Sequence, residues 1–257
     1  MKFDDLDKKM RIYETAHDHC VLPGMYIVAR IDGRSFTRLT KEKHDFEAPF
    51  DVRFRDMMVE TVKHLMNCGF KVGYGYTQSD EISLLFDQAE SVFQRKERKW
   101  NSVLAGEASA KFSLLLGDLA AFDCRLLQLP NPKLVIDYFR WRNEDAHRNA
   151  LNAHCYWLLR KEGKSRRQAT QAMSGMSIGQ KNQFLFERGV SFNDLPQWQK
   201  RGIGFHWATV SKQGRNPKTG QTVHTTRRVI QIDPELPMRD AYDQFLAKLL
   251  ATNEATP

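Results

Sequence analysis

No cysteine in the chain has a near neighbour of its own kind. Cys20, Cys68, Cys124 and Cys155 are scattered without a CxxC pair, which argues against a zinc ribbon or a thioredoxin-type redox site. No uninterrupted apolar run approaches the length that crosses a bilayer. The opening residues, MKFDDLDKKMR, are charged throughout and carry no apolar export segment. Free thiols and the missing leader give the expectation of a cytoplasmic protein without a membrane partner. Repeats and low-complexity segments are lacking too. The stretch Ser174-Gly175-Met176-Ser177-Ile178-Gly179 has the small residues of a phosphate loop but not the lysine of a P-loop. His44, His64, His147, His154 and His206 follow no nucleophile motif, so Cys–His catalysis has little support.

Negative charge is in short supply as well. Against 39 Lys and Arg stand 31 Asp and Glu, for a net charge of +8 and a pI of about 9.3. An excess of that size draws polyanions, nucleic acid first among them. The 257 residues suffice for a substantial core, and 41% hydrophobic with 27% charged residues is ordinary for a soluble domain.

The patterning predicts an α+β fold. Residues 1–19 read as a polar helix with Phe3, Leu6, Met10 and Tyr13 at helical spacing. MYIVARI, residues 25–31, reads as a buried strand that ends at Asp32-Gly33. After a charged loop over 34–49, Asp51 caps a helix that Gly69 stops. Short strands over 70–76 and 82–86 form a hairpin around Ser79 and Asp80. A helix over 91–116 and a strand over 122–129 complete the order βαββαβ, the ferredoxin-like pattern of polymerase palms. Residues 1–131 thus read as a palm-like catalytic domain. Residues 132–257 read as a mostly helical extension packed on it: helices to about 162, over 165–173 and 177–187, a hairpin of 203–211 and 222–232 around the loop KQGRNPKTGQ, and a last helix with a polar tail.

Asp-Gly after a strand is usually a turn, and so is Ser79-Asp80-Glu81 at a hairpin tip. The topology, however, sets the first and third strands side by side and so brings Asp32 to Asp80. Crowded carboxylates are costly unless a cation neutralises them. Magnesium takes oxygen ligands from one or two carboxylates and completes its shell with substrate phosphates. Two such ions serve an in-line displacement at phosphorus. Two basic groups are candidates for RNA or a triphosphate tail. One is Arg95, Lys96, Arg98 and Lys99. The other is Arg140, Arg142, His147 and Arg148, interleaved with Tyr138, Phe139 and Trp141. A solvated basic face with a core aromatic stripe explains the same residues equally well.

RIDGRSF at 30–36, YTQSDEISLLF at 76–86, DYFRWRNEDAHRNALNAHCYW at 137–157 and QKNQFLF at 180–186 together resemble the tRNA-His guanylyltransferase family. The resemblance extends to its guanylyltransferase-like members, which polymerise in the 3′-to-5′ direction. It implies a nucleotidyltransferase using GTP and ATP, two Mg2+ ions and tRNA, assembled as a homotetramer. By the same resemblance Asp32, Asp80 and the Gly33 carbonyl hold the metals, and Glu81 is an accompanying acidic catalytic position. Asp32, Gly33, Arg34, Ser35, Phe36 and Thr37, with Ser79 and Asp80, cradle the triphosphate. Lys181 and Asn182 match a pair near phosphate, and His147 and Asn149 open the HINN-type motif associated with nucleotide and tRNA handling. That motif reads HRNA here, with Ala150 last; Ala48 replaces a lysine of eukaryotic members, and DKNE reads QKNQ. These departures lean toward template-directed repair of shortened tRNA 5′ ends rather than addition of a single guanosine to tRNA-His. A nucleotide cyclase ranks low for want of a GGDEEF-like hairpin. A non-enzymatic RNA-binding protein is the alternative of another class.

Overall fold

The computed structural model describes residues 1–215 and 222–254. Helix α1 (Phe3–Thr15) leads into strand β1 (Tyr26–Gly33). A three-residue turn, α2 (Phe36–Arg38), continues as a π-helix over Leu39–Lys43, and α3 (Val52–Leu65) follows. Strands β2 (Val72–Gln78) and β3 (Glu81–Phe86) form a hairpin; α4 (Glu97–Leu116) and β4 (Phe122–Leu129) come next. The second half holds α5 (Pro132–Lys161), α6 (Arg166–Met173), α7 (Ile178–Phe186) and α8 (Gln197–Arg201). Strands β5 (Ile203–Arg215) and β6 (Thr222–Asp233) and helix α9 (Asp240–Glu254) end it.

All strands join one antiparallel sheet in the order β4-β1-β3-β2-β5-β6. Its first four strands are the expected palm. The division expected after residue 131 does not divide the sheet, because β5 pairs with β2 from Tyr74–His206 to Thr77–Ile203. Strand alternation makes two cores. Ile27, Ala29, Ile31, Ile82 and Leu84 face α3 and α4, with Trp100, Leu104 and Phe112 behind them. Tyr26, Val28, Tyr74, Tyr76 and Leu85 face α5 and α9, against Tyr138, Phe139 and Tyr242. Buried hydroxyls on that face are paired: Tyr74 with Tyr242, and Ser83 with Tyr138, each at 2.9 Å. With both faces covered, every residue of β3 is buried, as central strands require.

Several local expectations need correction. The helix expected from 91 begins at Glu97, because Phe93, Gln94 and Arg95 all take positive φ and break the spiral. The loop expected over 34–49 contains α2 and the π-turn. The polar first helix forms as expected, and none of its residues is buried; Phe3, Leu6, Met10 and Tyr13 are exposed. Strand β5 runs on to Arg215; the rest of the expected hairpin loop and the end of the polar tail lie outside the described residues. Among the described residues no helix is long and apolar enough to cross a membrane.

Candidate active site

The site forms where β1 ends and β3 begins. The ladder sets Val28 opposite Leu85, Arg30 opposite Ser83, and Asp32 opposite Glu81. Asp80 occupies the two-residue loop between β2 and β3, where Ser79 takes φ 53°; two-residue hairpin loops demand such positive φ. The Gly33 N–H donates to the Asp80 carbonyl at 3.1 Å, tying the strand end to the loop. A side chain at Gly33 would meet the Phe36 ring at 2.5 Å. That ring is held among Phe54, Phe112 and Phe122, so the position has no room for a β-carbon.

Asp32, Ser79, Asp80 and Glu81 line one wall of a cavity of about 380 Å³, within the range of small-molecule sites. Thr37 and Thr40 contribute from the first loop, and Asp145 and Asn149 from α5. Phe46, Phe50, Trp157 and Trp198 give the lining an aromatic part. Two cations stand against it. Lys41, on the π-turn, lies 5.6 Å from the Trp157 ring and donates to the Glu47 carbonyl at 2.8 Å. Arg55 lies 4.9 Å from the Trp198 ring.

Burial, with the neighbouring charge of Asp32, pushes the Asp80 carboxyl up to about 6. Burial also raises Glu81, although Arg142 and Arg30 counter it. Among the described residues no three His, Cys, Asp or Glu gather into an all-protein metal cage. Asp32 and Asp80 are two hard carboxylates that would suit magnesium, an ion that would complete its shell with water and substrate phosphate.

The expected RNA-binding residues divide. Arg95 is buried, with its guanidinium on the carbonyls of Met25 and Gln88. Lys96 and Arg98 pair with Asp18, while Lys99 is exposed. Arg140 pairs with Glu144 and Asp243. Arg142 is buried on Glu81 and is no free RNA contact. His147 packs on Phe192 and is lowered by burial, whereas Asn149 is exposed at the cavity. Tyr138 and Phe139 are core; only Trp141 of that trio is exposed. Lys181 and Asn182 lie on α7, and Gly33, Arg34 and Ser35 lie beside the Asp32 strand end; none of the five lines the cavity. Sequence reasoning missed Lys41, Arg55, Phe50, Trp157, Trp198 and Asp145. The spacing of Arg142 and Asp145, one helical turn apart, was the available signal for the last.

A four-stranded antiparallel palm with paired aspartates at neighbouring strand ends, over a cavity of ligand size, defines a palm nucleotidyltransferase. Residues 7–130 match the family model described as tRNAHis guanylyltransferase, and residues 133–236 match the Thg1 C terminal domain. The chain belongs to the tRNA-His guanylyltransferase family, nucleotidyltransferases that act on the tRNA 5′ end. It is 33% identical to the tRNA(His) guanylyltransferase of Schizosaccharomyces pombe over 71% of this chain and 73% of that protein. The probable tRNA(His) guanylyltransferase of Drosophila melanogaster is 30% identical, over 72% of this chain and 68% of its own. Among solved structures, a bacterial tRNA(His) guanylyltransferase-like protein in complex with ATP superposes with a TM-score of 0.73 at 27% identity, covering 95% of this chain and 98% of that one. A bacterial guanylyltransferase-like protein in complex with GTP gives 0.67, also at 27% identity, over 94% and 99% of the two chains.

Proposed function

We propose that this chain extends the 5′ ends of tRNA in the 3′-to-5′ direction, choosing each nucleotide by pairing with the opposite strand of the acceptor stem. The observation that carries the reading is the β1–β3 register, which delivers Asp32 and Asp80 to one cavity. The bacterial guanylyltransferase-like proteins solved with ATP and GTP support the nucleotide as substrate. In the reaction, the 3′-hydroxyl of an incoming nucleotide attacks the activated 5′ phosphorus of the tRNA; a new phosphodiester forms and the activating group leaves. Asp32 and Asp80 would hold Mg2+ ions, which supply Lewis-acid activation of the attacking oxygen and charge stabilisation of the leaving phosphate. Thr37 and Ser79 present hydroxyls beside the carboxylates. Trp157, Trp198 and Phe50 offer ring faces on which bases stack. Lys41 and Arg55 bring positive charge to the wall that faces the substrate. A homotetramer in the cytoplasm belongs to this reading.

Labelled nucleotides and tRNAs shortened at the 5′ end test the proposal. Extension of several tRNA identities, lost in Asp32→Asn, is the expected result; no extension by the wild-type chain overturns it. The second reading is addition of one guanosine to tRNA-His, the activity for which the curated relatives are named. Preference for full-length tRNA-His over every truncated tRNA would favour it.

A further inference from the structure

Glu81 follows Asp80 and faces Asp32 across the ladder, yet its carboxylate is already taken on both oxygens. Arg142 Nε and Nη2 donate to Oε1 and Oε2 at 2.6 and 2.9 Å. Arg30 Nη2 donates to Oε2 at 2.5 Å. Arg30 belongs to β1 and Arg142 to α5, so two separate parts of the chain grip one side chain. Glu81 is 9% exposed and Arg142 7%, an environment in which a single unpaired charge is strongly disfavoured. Arg142 also reaches Asp145 at 3.1 Å, and Asn149 donates to that same carboxylate at 3.0 Å.

We infer that Arg142 is a positioning residue of the carboxylate site, with Glu81 as its anchor, and that Glu81 holds no metal. The inference rests on the reading of Asp32 and Asp80 as the metal ligands. Three carboxylates at adjoining strand ends repel one another. The two guanidiniums satisfy Glu81 and take it out of that competition. Asp32 meets its nearest guanidiniums only at 3.6 Å. Among the described residues, the one side-chain partner of Asp80 is Ser79 Oγ, at 3.1 Å. Asp32 and Asp80 therefore keep oxygens available to a cation while Glu81 does not. The planar fork of Arg142 fixes direction as well as charge. It locks the α5 wall, with Asp145 and Asn149, to the first residue of β3, directly after Asp80. A lysine has the charge without the fork.

The test uses Mn2+·ATP as the probe, its binding to the full chain followed by the enhancement of water-proton relaxation that a macromolecule-bound Mn2+ produces. Arg142→Lys, Arg142→Gln, Glu81→Gln and the double variant Glu81→Gln/Arg142→Gln are compared with wild type and Asp32→Asn. Each single clamp variant is expected to weaken Mn2+·ATP binding about tenfold, the usual scale for removing a group that orients a metal ligand. The double variant should be no weaker than the worse single one, because the pair acts as a unit. With truncated tRNA, kcat should fall in Arg142→Lys while KM for the tRNA holds. Circular dichroism identifies any variant that fails to fold, and Arg142→Lys, which keeps the buried charge, carries the comparison in that event. The clamp role is overturned if Glu81→Gln abolishes Mn2+ binding while Arg142→Lys retains it, if the two losses multiply, or if only the melting temperature moves. Asp32→Asn separates the two failures. If it binds Mn2+·ATP as wild type does, the metal reading falls and the clamp with it. If Asp32→Asn loses binding and the clamp variants keep it, the clamp alone falls.

Discussion

Asp80 is the residue at which burial and function pull hardest against each other. Its carboxyl is pushed up to about 6 by desolvation and by Asp32, while an unfolded aspartate titrates near about 3.9. The folded chain thus holds this proton longer than the unfolded one. The stabilisation is complete below about pH 4 and is lost as the pH climbs through about 6. Asp80→Asn should keep a neutral side chain at every pH. In EDTA, its melting temperature should rise relative to wild type as the pH goes from 4.5 to 7.5, as measured by scanning fluorimetry; a constant gap would refute the burial account. At pH 7.5 magnesium should raise the melting temperature of wild type and leave Asp80→Asn unmoved. Nucleotidyl transfer by this variant should fall at least about a hundredfold, the range seen when one charge-stabilising group is removed. In the aromatic lining, Trp198→Ala should raise the nucleotide KM roughly tenfold, since stacking on one base is worth about 1–3 kcal/mol. The two aspartates were legible in the sequence because each follows or precedes a recognisable strand. Arg142 was not. Its interleaved aromatic neighbours looked the same for a solvated cation and a buried one, and only the partner Glu81, far off in the chain, decides between them.

At the level of elements, the junction of α8 with β5 is unforgiving. Gly202 has φ +77°, and a β-carbon there would meet the Thr77 carbonyl at 2.6 Å and the Tyr76 ring at 2.7 Å. Tyr76 cannot easily yield, because its hydroxyl donates to the Arg201 carbonyl at 3.0 Å and its ring is buried. Gly202→Ala should cost about 2–3 kcal/mol of unfolding free energy in urea titration, the joint effect of strain and overpacking. Most elements were readable from local chemistry. Asp51 accepts from the Arg53 N–H at 2.7 Å as the expected cap, and Ser165 and Ser177 form full capping boxes. What failed to show was settled elsewhere. The late start of α4 follows from the positive φ of Phe93, Gln94 and Arg95, in a segment where Glu90 accepts the N–H groups of Lys71, Ser91 and Val92. The pairing of β5 with β2 is a choice among sheet edges, and residue patterns do not record it.

For the whole molecule, net charge and fold act on different properties. A charge of +8 favours any polyanion and distinguishes none. Raising salt from 50 to 200 mM should weaken tRNA binding in filter assays by at least roughly tenfold, through lost counterion release. Extension at saturating tRNA should change far less, because saturation removes the binding term and the Glu81–Arg142 pair is buried away from the ions in solution.

The pairing of Asp32 with Glu81 also sets which changes of length the chain can tolerate. Side chains along a strand alternate between faces, so one added residue inside β1 would reverse every later side chain of that strand. Asp32 would turn from the α5 side toward α3 and α4, and the buried aliphatic residues would turn out of their own core with it. A glycine inserted beside exposed Gly163, between α5 and α6, meets no such constraint. Among relatives of this chain, gaps should therefore gather in its loops, while β1 and β3 keep their lengths to the residue even where their side chains have drifted.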